Sequence, residues 1–206
     1  MIGARALTTA ELHQVLDACP SSRERALVAI LAYTAARLSE GLALTWGQVR
    51  AYDDGRIGPH SWRSIVSLSK RRTKGQRHGR QVAMHPELRR HLAEHYNDGE
   101  LHFPTDPIVG SRTGRLSASQ ATRLIRAIFD SCNLEYPELC SSHSLRKWCA
   151  TEMLRNGAPI RHVQQILGHV DLKNIVRYAE GGGPEDLARA ISLLGGSENG
   201  QPDPLP

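Results

Sequence analysis

Six residues scattered along most of the chain carry side chains that can do chemistry together: Arg37, Lys74, His143, Arg146, His169 and Tyr178. A guanidinium offers forked donors to an oxyanion, and an ammonium or imidazole can pass a proton. A phenol, with an ordinary pKa of about 10, becomes a nucleophile only when a neighbour takes its proton. Taken singly, each has an everyday structural explanation. Arg37 could compensate a helix end, and His143-x-x-Arg146 could be a helix-surface pair. Leu167-Gly168-His169 could be a plain helix stop, and Tyr178 a core tyrosine with a satisfied hydroxyl. Order and spacing argue otherwise, since His169 stands 23 residues after Arg146 and Tyr178 nine after His169.

The elements needed to position these residues can be read from local pattern. Thr8-Thr9-Ala10-Glu11 has the form of a helix start, with a threonine cap and an acid in the first turn. Apolar residues at a 3.6 period predict a second helix over 22–38, with the short apolar run 42–46 closing behind it. Residues 64–69 and 80–84 carry β-branched side chains at alternate positions, which predicts a hairpin with a long basic tip. Helices are expected at 86–95, with proline at an N1-like position, and at 117–131. Ser142 is expected to cap a helix running to Asn156 and stopped by Gly157. Pro159 opens a short helix ended by Gly168, and Asp171 caps another that carries Arg177 and Tyr178. A glycine hinge at 181–183 precedes a last amphipathic helix over 185–194. The fold class is therefore α+β, mostly helical, with one small sheet.

At 206 residues the chain can bury one good core, and two full domains would be a squeeze. No apolar run approaches the roughly 18 residues a membrane span requires, and the first residues lack the apolar core of a secretory signal. Cys19, Cys132, Cys140 and Cys149 are dispersed, with no metal-binding spacing, and read as reduced thiols. The formal net charge is +5, and its distribution is informative. Residues 61–80 hold seven Lys/Arg (Arg63, Lys70, Arg71, Arg72, Lys74, Arg77 and Arg80) and no acid. Residues 141–178 are opposed only by Glu152 and Asp171. Such a face fits a nucleic-acid partner or a solvated surface, and charge alone does not choose between them.

The succession Ala36-Arg37-Leu38-Ser39-Glu40, Lys74-Gly75 followed by Arg80-Gln81-Val82-Ala83-Met84, His143-Ser144-Leu145-Arg146, Leu167-Gly168-His169 and Tyr178 resembles the tyrosine recombinase (phage integrase) family. The likeness runs from the opening near Leu7 to Tyr178. It departs at Ala83, where the family carries proline, and in a hairpin turn one residue longer than usual. The resemblance implies that Arg37 and Arg146 clamp the non-bridging oxygens of a DNA phosphate. His143 and His169 add donors, with His143 the better candidate to receive the phenol proton. Tyr178 attacks phosphorus, and Lys74 protonates the departing 5′-oxygen, with Lys70 one turn away as the competing assignment. Glu40 is placed either to orient Arg37 and neighbouring bases or as a surface helix charge.

Residues 1–183 are accordingly expected to form a tyrosine recombinase catalytic domain, followed by a helix at 184–195 and a disordered tail at 196–206. The helix is expected to dock on its own domain or on a neighbouring protomer. The amino-terminal core-binding domain of the family is expected to be absent. The implied activity is site-specific DNA cleavage and rejoining through a 3′-phosphotyrosyl intermediate, without cofactor, metal or ATP. The implied partner is double-stranded DNA, bound by a homotetramer on paired sites in the cytoplasm at the nucleoid, with no membrane. Lys70, Arg71, Arg72, Arg77 and Arg80 are expected to contact DNA. A catalytically silent DNA-binding member and a type IB topoisomerase-like enzyme are the competing readings.

Overall fold

The computed structural model describes residues 4–53, 56–68, 79–98, 102–111 and 114–168. Helix α1 (Thr9–Asp17) starts as its sequence dictates. Thr8 accepts from the Glu11 backbone, and the Glu11 carboxylate accepts from the Thr8 N–H at 2.8 Å. That carboxylate also takes Arg5 and the Glu135 N–H, so it fastens the amino-terminal strand of chain, α1 and a distant loop at one point. Burial alone would raise the Glu11 pKa. The hydrogen bonds from Arg5, Thr8 and Glu135 outweigh it and bring the value to about 2.

Helix α2 (Ser22–Tyr33) is the axis of the core. Residues 26–32 are all fully buried, so the helix is apolar on every side and is surrounded rather than laid on a surface. Around it pack α1, α3 (Leu38–Ala43), α5 (Pro86–Asp98), α6 (Ala118–Ser131) and α7 (Ser142–Arg155). In α6 the inward stripe is Ala121, Ile125, Ile128 and Phe129, the spacing of one helix face. At the end of α2, the Tyr33 ring stacks on His85 and meets Trp148 edge to face, joining three elements.

The predicted second helix is shorter than expected. It ends at Tyr33, where the Thr34 hydroxyl donates to the Ile30 carbonyl at 2.6 Å and Ala35 turns left-handed with φ 49°. A new helix, α3, then begins after Arg37. One-turn helix α4 (Trp46–Val49) leads into a hairpin of β1 (Arg50–Asp53) and β2 (Arg56–Trp62), which the expected elements did not include despite the turn signal Asp54-Gly55. The expected hairpin is present as β3 (Ile65–Leu68) and β4 (Arg80–Ala83), antiparallel with Ile65 opposite Ala83 and Leu68 opposite Arg80. A two-residue pair, β5 (Gly110–Ser111) and β6 (Gly114–Arg115), precedes α6. Helix α8 (Ile160–Leu167) ends at Gly168 with φ 64°, as the glycine suggests. The helices expected around Tyr178 and over 185–194 lie outside the described residues. Among those described, no helix is long and apolar enough to cross a membrane.

Four histidines, His85, His91, His95 and His102, sit where burial pushes the imidazole pKa down. The folded chain thus takes up their protons less readily than the unfolded chain does. Stability is full above the ordinary imidazole value of about 6.5 and declines as pH falls below it. Glu11 acts in the same sense at lower pH, its contribution fading as pH drops below about 4.5 toward 2. The urea midpoint of the chain is therefore expected to be lower at pH 5.5 than at pH 7.5, and lower again at pH 4. A midpoint unchanged or higher at pH 5.5 would contradict the lowered pKa of these four histidines.

Candidate functional site

The break after α2 creates the site. Left-handed backbone at a non-glycine residue is unfavourable by roughly 1–2 kcal/mol, so something must hold Ala35 there. Its carbonyl accepts from Arg146 Nη1 and, at 3.0 Å, from Arg80 Nη2. Arg146, on the second turn of α7, is buried, and its Nη2 donates to the carbonyl of Leu167, the last residue of α8. One guanidinium thereby spans the end of α2 and the negative end of α8.

Arg37 is the N-cap residue of α3, with its side chain 44% exposed. The Glu40 carboxylate accepts its backbone N–H at 2.8 Å and its Nη1 at 3.0 Å, and also takes Arg80 Nη2 at 2.7 Å. Burial would raise the Glu40 pKa, but the Arg37 N–H and the Arg80 charge outweigh it, so the net shift is downward. Glu40 stays ionised. Two guanidiniums face this carboxylate and a third, Arg146, meets Arg80 at the Ala35 carbonyl, which leaves two positive charges in excess among these four groups. That is an anion-seeking arrangement, with Arg37 the member most open to solvent. Cys149 lies buried beside the cluster, its thiol pushed up to about 11 by burial, and so stays neutral.

His143 precedes Arg146 by three positions, which puts both on one side of α7. The helix start is fixed by Ser141, whose hydroxyl accepts the His143 N–H at 3.2 Å and whose N–H is accepted by Ser144. His143 is exposed while Arg146 is buried, so the pair reaches from solvent inward to the Ala35 carbonyl. At Gly168 the positive φ excludes most side chains. An added Cβ would also stand 3.2 Å from Arg80 Cδ, which packs against this turn. The chain passes directly from Gly168 to His169.

Of the residues singled out from sequence, Arg37 and Arg146 come together through Glu40, Arg80 and Ala35, with His143 on the same helix as Arg146. Lys74, His169 and Tyr178, and the hairpin bases Lys70, Arg71, Arg72 and Arg77, lie outside the described residues. Arg80 departs from expectation. Its side chain is only 11% exposed and turns inward to Glu40 and Ala35. Strand alternation was the available signal, because Arg80 shares its face with the buried Val82. Ala35 gave no signal at all, since alanine ordinarily favours the right-handed helix.

A profile of the phage integrase family matches residues 5–181. The tyrosine recombinase XerD of Corynebacterium glutamicum is 31% identical over 171 residues, covering 79% of this chain and 52% of that protein. The crystal structure of XerA recombinase superposes with a TM-score of 0.72 at 25% identity, over 93% of this chain and 65% of that one. A post-cleavage complex of XerH site-specific recombinase with a palindromic difH substrate gives 0.61 at 18% identity, over 93% and 54%. The chain spans about half the length of the curated relatives it matches.

Ala35 and its carbonyl make a sharp stability prediction. Ala35→Gly relieves the left-handed backbone but removes a buried methyl, two effects of about 1 kcal/mol and opposite sign, so it should be near neutral. Ala35→Val keeps the strain, adds a β-branch and overfills a fully buried position, and should destabilise by about 2–4 kcal/mol. Thermal and urea denaturation of the two variants checks this, and equal stabilities would sink it.

Proposed function

The chain belongs to the phage integrase family, and on that premise we propose that it cleaves and rejoins DNA strands at a specific site, with Tyr178 as nucleophile. The observation that carries the proposal is the clustering of Arg37 and Arg146 around the Glu40 carboxylate and the Ala35 carbonyl, with positive charge in excess. A phosphodiester is an anion, and attack on it builds further negative charge on the non-bridging oxygens. Fixed donors aimed at that charge are the strongest aid a protein can give. Two arginine forks fit the task better than point charges do.

In the proposed reaction the Tyr178 oxygen attacks phosphorus and its proton passes to His143. A phosphotyrosyl bond forms at the 3′ side as the bond from phosphorus to the 5′-oxygen breaks. Lys74 gives the leaving oxygen its proton, and His169 donates a further hydrogen bond to the phosphate. Attack by a 5′-hydroxyl on the phosphotyrosine runs the sequence backward and restores Tyr178, so no external energy source enters the balance. The palindromic substrate in the XerH complex supports a symmetric DNA site as partner, and the assembly proposed on two such paired sites is a homotetramer. The hairpin bases Lys70, Arg71, Arg72 and Arg77 would grip flanking phosphates and set position rather than sequence preference.

Incubation with nicked suicide DNA should yield an SDS-resistant protein–DNA adduct, and Tyr178→Phe should abolish it. Arg37→Ala and Arg146→Ala should each slow adduct formation by about 10²–10³. An adduct that survives Tyr178→Phe would refute the assignment. DNA affinity should fall steeply with salt, with a log–log slope of about −3 to −4 if the four hairpin cations Lys70, Arg71, Arg72 and Arg77 each neutralise a phosphate. A flat dependence would mean that the hairpin is a solvated face and not a DNA grip.

A further inference from the structure

Arg80 stands at the centre of the site, yet the reaction above gives it no step. Its Nη2 makes two bonds, to Glu40 at 2.7 Å and to the Ala35 carbonyl at 3.0 Å. Its Nε and Nη1 are buried with no hydrogen-bond partner among the described residues, and burial lowers its pKa although the group remains charged. Its Cδ approaches the Gly168 turn so closely that a β-carbon there would stand 3.2 Å away. A cation sunk in the protein with two donors unmade is a poor device for stability alone. Such groups recur where function sets the geometry.

Each contact of Arg80 leads to a different part of the reaction centre. Glu40 holds Arg37 by both its backbone N–H and its guanidinium, so wherever Arg80 places the carboxylate, Arg37 follows. Ala35 is the carbonyl that also receives Arg146, so the same guanidinium bounds the position of the second arginine. Gly168 is the residue from which the chain enters His169. Resting on the reading of Arg37 and Arg146 as the phosphate clamp, we infer that Arg80 is a positioning residue for strand cleavage. It acts through Glu40, Ala35 and the Gly168 turn, and does not touch DNA. Lysine does not reproduce it, because both bonds leave from the terminal Nη2, which a rigid guanidinium plane holds at a fixed reach while the stem lines the turn, whereas an ammonium rides on a shorter, flexible stem.

The test separates rate from affinity in the full chain, using nicked suicide DNA at saturating protein and equilibrium binding measured across a salt series. Arg80→Lys should slow adduct formation by about 10- to 100-fold, while DNA affinity and salt slope stay at parental values. Glu40→Gln, which leaves Arg80 in place, should slow cleavage comparably. The double variant should lose little more than the worse single, because both act through Arg37. Parental cleavage by Arg80→Lys overturns the inference. Weakened binding with a salt slope reduced by about 1 also overturns it, by making Arg80 a phosphate contact. So does a rate loss that disappears well below the variant's unfolding temperature, which would make the role purely structural. If the parent chain itself forms no adduct, the proposed function fails first and this inference falls with it.

Discussion

The Ala35 carbonyl is the point on which the rest of the structure turns. It projects from a left-handed residue at the end of a fully buried helix, and two guanidiniums from different parts of the chain converge on it. Neither α7 nor β4 could be seated independently around such a point. Arg146 fixes α7 relative to α2 and reaches on to the end of α8, while Arg80 fixes the β3–β4 hairpin to the same atom. A break in one helix thus becomes the meeting place of three other elements. The interior apolar packing supplies the bulk of the driving force for folding, but it is indifferent to register at this level of detail. The shared carbonyl is not.

Electrostatics makes the same region a compromise. Arg37 and Arg80 repel one another around one carboxylate, and desolvation lowers the Arg80 pKa. Glu40 moderates this by remaining ionised. Elsewhere the protein assigns its charges conservatively: Glu11 has three donors, and Glu24 is matched by Ser21 and Arg23. The contrast between saturated carboxylates in the frame and an under-neutralised cluster at the site is the pattern expected where stability has been exchanged for affinity toward an incoming anion.

Much of this was legible in the sequence, and the reasons are particular. Helices with caps and a clean apolar period announced themselves: Thr8 with Glu11, the stripe of α6, and the glycines after α7 and α8. The β3–β4 hairpin showed in its alternation. The succession of Arg37, His143 and Arg146 pointed to a shared site through its resemblance to the tyrosine recombinase pattern. The early end of α2 was not legible, since Thr34-Ala35-Ala36 contains no breaker and only tertiary bonds hold Ala35 left-handed. The β1–β2 hairpin was missed although Asp54-Gly55 is a strong turn signal, because Gly58 and Pro59 in its second strand spoil the strand pattern. Arg80 was grouped with its basic neighbours because charge is visible in sequence while the face a strand residue points to depends on pairing.

That pairing carries a further consequence. Leu68 lies opposite Arg80, and the strands alternate faces residue by residue. A slip of one residue between β3 and β4 would turn Arg80 outward and present Gln81 to Glu40, with the apolar face inverted in the same stroke. The rung that pairs Leu68 with Arg80 therefore acts as a registration mark: whatever length of chain joins β3 to β4, keeping that rung keeps the Glu40–Ala35 cluster at a constant setting.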